Sequence, residues 1–191
     1  MQRDDLIALR LRNQRLTRTA LRQPAEVVAW LGAVQAQDFA TAKWGVGLRT
    51  HAMRPTWHFV TPADIRWIQR LTAPRVHAAN GPTIGARDST APRSQKAKVL
   101  ERALRDETYL TRAEVAQAFG RAGIKAKGVR LAYLMIHAEL ECVICSGLRR
   151  GKQFTYALLD ERAPSSGRTV DREESLAELT RRYSPVTARP R

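Results

Sequence analysis

Leucines recur at helical spacing at the start of the chain. Leu6, Leu9 and Leu16 lie among arginines in RDDLIALRLRNQRL, which predicts an amphipathic helix over 3–16. Gln23-Pro24 breaks that pattern. PAEVVAWLGAV predicts a second helix over 24–34, with Pro24 in its first turn and Gly32 loosening its end. QDFATAKWGVGL, residues 37–48, predicts a short third helix closed by Gly45 and Gly47. PTWHFV, residues 55–60, is rich in β-formers and predicts a strand. Thr61, Pro62 and Asp64 then form a helix start for TPADIRWIQRLT. Residues 80–94, NGPTIGARDSTAPRS, carry the Gly, Pro, Ser and Asn of a linker.

The pattern is cleaner after that linker. SQKAKVLERALRD predicts a helix, and LTRAEVAQAFGRAGI predicts a second with Thr111 and Glu114 as a capping box. KGVRLAYLMIHAEL predicts a third, with Val129, Tyr133, Ile136 and Leu140 on its apolar stripe. CVICSG and QFTYALL predict two strands joined by the basic loop LRRGK. Three helices followed by a basic-tipped hairpin is the order of a winged helix-turn-helix. A Ser/Gly linker, one short helix (DREESLAELTRRY) and an irregular tail complete the chain. The expected fold is therefore mainly α with small β-hairpins, in tandem winged helix-turn-helix units. Residues 1–79 form a first unit with its following helix, 80–94 a linker, 95–160 a second unit, and 161–191 a linker, helix and tail.

Composition narrows the function. Lys and Arg total 33 against 18 Asp and Glu, a net charge of +15 over 191 residues. A field of that sign favours a polyanion, with nucleic acid first and an acidic membrane surface second. No run of about 18 apolar residues is present to span a membrane. The first ten residues have no apolar core like that of a signal peptide. Two cysteines, Cys142 and Cys145, give no disulfide framework, which fits a reducing, cytoplasmic setting. They form a lone CxxC on a predicted strand. No second CxxC or His pair follows at finger spacing, so two buried cysteines are expected, and no metal. No cofactor is expected either.

One stretch does not fit a plain core helix. In GAVQAQDFATAKW, Gln35 and Gln37 flank one small apolar residue and Asp38 follows. Glutamine has no group that titrates near neutrality, but its carbonyl accepts from water and its amide donates. Two glutamines two apart can clamp one water molecule. They are equally the polar residues of a solvent-facing helix end, and Asp38 reads as an N-cap.

The segments RNQRL, VVAWLGAVQAQDFATAKW, MRPTWHFVTPADIRWI, LTAPRVHAAN, AELECVICSGLRRGKQFTYALLDER and LAELTRRY, in that order, resemble the winged-helix DNA-binding family of AlkZ/YcaQ-type, crosslink-repair DNA glycosylases. The resemblance covers most of residues 10–183. It implies tandem winged-helix units around a concave DNA-binding surface, and excision of N-alkylated or cross-linked purines. The family's Gln-apolar-Gln catalytic signature falls on Gln35, Ala36 and Gln37. The block around Arg54, Thr56 and His58 corresponds to the DNA-facing cleft. The join from Leu48-Arg49 to Thr50-His51 is shorter than the family pattern. The family continues past RRY into a third unit, whereas this chain reads SPVTARPR, as expected of a C-terminally truncated copy.

The expected partner is double-stranded DNA, including alkylated DNA, for a nucleoid-associated protein. Expected contacts beyond the cleft block are Lys127 and Arg130, at the start of the third helix of the second unit, and Arg149, Arg150 and Lys152 in the hairpin loop. The alternative is a non-catalytic DNA-binding protein, either a regulator or an inactive paralogue.

Overall fold

The computed structural model describes residues 3–13, 15, 17, 21–35, 48–54, 56–84, 92–165, 167 and 170–187. Over these residues the chain is mainly α-helical, with two small antiparallel sheets of three strands each.

Helix α1 (Arg3–Asn13) carries Asp4 and Asp5 in its first turn and Arg10 and Arg12 in its last, each complementing the helix dipole. Helix α2 (Pro24–Leu31) has Pro24 at its start, and the Glu26 carboxylate accepts the backbone N–H groups of Arg22 and Gln23. The helix expected to reach residue 34 stops at Leu31. Gly32, at φ 77°, takes the left-handed conformation open to glycine and turns the chain away. Val34 and Gln35 leave as strand β1. The third helix expected over 37–48 falls on residues outside those described, except Leu48, which opens strand β2 (Leu48–His51). All four residues of β2 are buried, so it shows no period-2 alternation and gives no strand signal. The expected strand is β3 (Trp57–Val60). It lies between its neighbours in the order β1-β3-β2.

Helix α3 (Ile65–Ile84) starts as its cap residues predict. Thr61 Oγ1 donates to Asp64 Oδ2 at 2.6 Å, and the Thr61 carbonyl accepts the N–H of Ile65 at 3.0 Å. The helix then runs through Pro74, so residues 80–84 are helical and not linker. Ile65, Ile68, Gln69, Ala73, Val76 and Asn80 are buried along one face, and that burial outweighs the breaking tendency of Pro74. The packing also crosses the expected boundary. Leu48, Ala52, Val60, Ile65 and Ile68 share a core with Cys145, Leu159 and Ala163.

The second half follows its predicted order with one addition. Helix α4 (Arg93–Leu104) leads to a two-residue strand β4 (Leu110–Thr111), too short for a periodic signal. Helices α5 (Arg112–Arg121) and α6 (Gly128–Leu140) follow, then the hairpin β5 (Ile144–Ser146) and β6 (Thr155–Leu158). The sheet order is β4-β6-β5, so both sheets place their last strand in the middle. The capping box is present: Glu114 Oε2 accepts the Thr111 N–H at 2.7 Å. The α6 stripe is corrected in part: Leu140 is buried and packs with Ile136 against Ala73 and Val76 of α3, as expected. Val129 is 63% exposed, whereas Leu131, Leu134, Met135 and Ala138 face a core with Leu100, Leu104, Val115, Phe119 and Ile144. That face keeps the helical spacing but lies to one side of the expected one. Short helix α7 (Leu159–Arg162) and helix α8 (Arg172–Thr187) complete the described chain. Helix α8 extends through residues expected in the irregular tail.

Gly147 follows β5 where no side chain fits. A Cβ there would sit 2.6 Å from both Thr155 Oγ1 and Tyr109 Cδ1. Gly147→Ala is expected to destabilise the chain by about 1–3 kcal/mol, read from the urea midpoint. An unchanged midpoint would contradict this packing.

Candidate functional site

The first sheet brings three polar side chains into one row. Gln35 of β1 and Thr50 of β2 are both directly opposite His58 of β3, so Gln35, His58 and Thr50 lie side by side across one face. Gln35 is exposed and His58 is buried. Gln37 and Asp38 lie outside the described residues. His58 Nδ1 is 2.9 Å from the Thr56 carbonyl, an acceptor only, so Nδ1 carries the proton of that bond. Burial lowers the His58 pKa, partly offset by that carbonyl, and the neutral ring then leaves Nε2 as a lone-pair acceptor.

A buried polar network holds this row against both halves. Gln69 on α3 donates to Thr50 Oγ1 at 2.9 Å, to the His51 carbonyl at 2.7 Å and to the Glu139 carbonyl at 3.2 Å. The Glu139 carboxylate on α6 accepts the His51 N–H at 2.7 Å and also meets His51 Nδ1. Gln69 and Glu139 each interrupt an apolar stretch, WIQRL and AEL, and that interruption is the signal by which the sequence marks them. On the other side of the sheet the Arg49 guanidinium lies between two rings, 3.7 Å from the Trp57 centroid and 4.2 Å from that of Phe154. Arg149 stacks on Phe154 at 4.8 Å. A cation between two rings in a desolvated setting stabilises by roughly 2 kcal/mol. The stack joins the first sheet to the β5–β6 hairpin. No spacing rule links Arg49 to Phe154, and the sequence reading missed both.

The expected DNA contacts fall on three places. Arg54, exposed, and Thr56, half-buried, lie in the tight β2–β3 turn. Lys127 is exposed at the N-cap of α6, with Arg130 half-buried in its first turn. Arg149, Arg150 and Lys152 are exposed in the β5–β6 loop. Arg150 is committed inside the protein, pairing with Glu114 at 2.7 Å and donating to the Tyr109 carbonyl at 2.6 Å. Helix α8 is pinned to the first half by Arg182, which donates to Asp64 at 2.8 Å and to the Ala29 carbonyl at 3.1 Å.

The family model described as DNA glycosylase AlkZ-like matches residues 47–185. The chain belongs to the AlkZ-like DNA glycosylase family. No curated protein matches it by sequence. Among solved structures it is similar to the Streptomyces sahachiroi DNA glycosylase AlkZ, at 19% identity and a TM-score of 0.68. That likeness covers 95% of this chain and 56% of the other, so the chain spans little more than half the length of the AlkZ structure it matches. Gln35 and Gln37 precede the span matched by the AlkZ-like model, while the buried network and both hairpins fall inside it.

Both cysteines are free thiols; Cys145 is buried as expected, whereas Cys142 is only half-buried. Burial pushes the Cys145 thiol up to about 12, and it raises Cys142 as well. No helix among the described residues is long and apolar enough to cross a membrane.

Among the described residues three carboxylates are held low: the backbone N–H groups of Gln23 and Arg22 lower Glu26, and Glu114 and Glu178 lie lower still. Backbone and side-chain hydrogen bonds from Thr111, with Arg150, hold Glu114 at about 2. Arg181, with Arg182, holds Glu178 at about 2. A depressed carboxylate stabilises the fold above its unfolded pKa, here near 4.5, and that contribution is lost as pH falls toward 2. The melting temperature is therefore expected to drop as pH falls from 5 to 3. A flat profile over that window would contradict these pairings.

Proposed function

We propose that this AlkZ-like chain binds duplex DNA through two tandem winged-helix units and carries a glycosylase site for N-alkylated purines around Gln35 and Gln37. Family membership over residues 47–185 is the observation that carries the reading. The topology supports the finer architecture. In the second half, α4-β4-α5-α6-β5-β6 with sheet order β4-β6-β5 puts a helix-turn-helix, α5 to α6, beside a basic hairpin. In the first half the sheet repeats the strand order, with β2–β3 as its hairpin. Lys127 of α6, Arg149 and Lys152 of one hairpin, and Arg54 of the other supply exposed charge for phosphate, with Arg130 half-buried behind Lys127. Arg150 supports its loop through Glu114, and buried His58 acts beside Gln35 and not at the surface.

An N7-alkylated purine is already cationic and leaves with the glycosidic electron pair without a strong acid. The protein must then place a water against C1′ of an oxocarbenium-like sugar. The Gln35 carbonyl accepts from that water, Gln37 completes the clamp, and neutral His58 offers Nε2 in the same row. Attack forms the C1′–O bond, and the water's proton passes to solvent.

One observation favours a second reading, a non-catalytic DNA-binding protein: the family match begins after the glutamine pair. Incubation with duplex DNA containing N7-methylguanine separates the two. Release of free base supports the glycosylase. Salt-sensitive binding without release supports the second reading.

A further inference from the structure

We propose that His77, His137 and Glu141 form a binding site for one divalent transition metal ion, zinc by preference, that ties α3 to α6. The three residues come from two elements. His77 lies on α3, His137 is in the last turn of α6, and Glu141 caps that helix. Their donor atoms all lie within 4.8 Å of one another. Glu141 Oε1 is 2.8 Å from His77 Nε2 and 3.9 Å from His137 Nε2. A tetrahedral site with bonds of about 2.1 Å needs donors about 3.4 Å apart, so small side-chain rotations suffice.

A second observation points the same way. Both Nε2 atoms are buried, and neither has a partner in hydrogen-bonding geometry, although a carboxylate oxygen lies close to each. Two imidazole nitrogens converging on one carboxylate oxygen, off the directions a hydrogen bond needs, is the arrangement that an ion between them would satisfy. The donor set, two imidazoles and one carboxylate, suits zinc and neighbouring first-row ions and does not suit magnesium or calcium, which take oxygen ligands. The rings are packed face to tilted face, with centroids 4.9 Å apart, which limits their freedom to turn away. Glu141 is nearly half exposed, so a fourth position opens to solvent water. Arg93 and Lys96 stand close enough to His137 to oppose added positive charge, which keeps the expected affinity modest.

The seam has a structural consequence. Ala73 and Val76 of α3 pack there against Ile136 and Leu140 of α6. An ion at its edge would fix the first half of the chain to the second. It would stabilise the folded state by mass action, because the unfolded chain separates the ligands. Sequence spacing carries only half of this site, the i,i+4 pair His137 and Glu141, because His77 is far away in the chain.

The test is titration of the untagged, chelator-treated protein with zinc alone, read by calorimetry and by melting temperature, with magnesium as control. The expected result is one zinc per chain, a raised melting temperature and no response to magnesium. His77→Gln and His137→Gln should each weaken zinc binding by at least about tenfold. Substitution of cobalt in the wild-type protein gives a readout that does not depend on variants folding. The expected visible spectrum is that of nitrogen and oxygen ligation, without a thiolate charge-transfer band. Absence of saturable zinc binding, undiminished binding in the double variant His77→Gln/His137→Gln, or a thiolate band assigning the ion to Cys142 or Cys145 would each overturn the proposal.

Discussion

Alanine at both Gln35 and Gln37 is expected to lower base release from N7-methylguanine DNA by about two to three orders of magnitude, the scale of losing one preorganised polar contact to a transition state. Duplex affinity should stay nearly unchanged, because it comes mainly from phosphate contacts made elsewhere. Gln35→Ala by itself should change stability by less than about 0.5 kcal/mol, since Gln35 is exposed on a two-residue edge strand. The combination matters: lost turnover with retained binding and an intact melting curve places these side chains at the reacting centre. Full activity in the double variant would leave them as surface residues. Gln35→Ala alone should show part of the loss, with Gln37 left to hold the water.

Glu139→Ala is expected to destabilise the fold by about 3 kcal/mol. The carboxylate accepts the His51 N–H and meets the His51 ring, and its removal leaves both groups buried without a partner, at roughly 1–3 kcal/mol each. For a chain of this size that is a fall of about 6–12 °C in melting temperature. Glu139→Gln keeps the side-chain volume and one acceptor and should lose less. Gln69 donates to the backbone carbonyl of Glu139, which the substitution keeps, so the tie through Gln69 to Thr50 and the site row should survive while the chain is folded. A loss below about 1 kcal/mol in Glu139→Ala would mean that the network is not a stabilising element.

The sequence announces those parts of the fold whose cause is local. The Thr111–Glu114 capping box, the α5–α6 turn and the β5–β6 hairpin with its basic loop all depend on residues close together in the chain, and all are found. The Thr61–Asp64 start of α3 is local in the same way. The end of α3 was hidden because a long buried face carries the helix past Pro74, and no local rule measures that face. Strand β2 was hidden because it is buried on both sides and does not alternate. Gln35 was legible as a polar intrusion, but its place opposite His58 was not, because the pairing of β1 with β3 joins distant segments. The network of Thr50, His51, Gln69 and Glu139 and the stack of Arg49 on Trp57 and Phe154 likewise exist only once both halves pack together.

Whether duplex DNA is held by charge, as proposed, is tested most directly by the salt dependence of binding. The affinity of the chain for an undamaged duplex would be measured across a range of salt concentrations. Arg54, Lys127, Arg149 and Lys152 are exposed, and one phosphate neutralised by each gives a log–log slope of about −3.6. Lys127→Ala should make that slope shallower by about 1 and weaken binding equally for every sequence. A slope near zero, or one that stays unchanged when these four residues are replaced, would contradict the account.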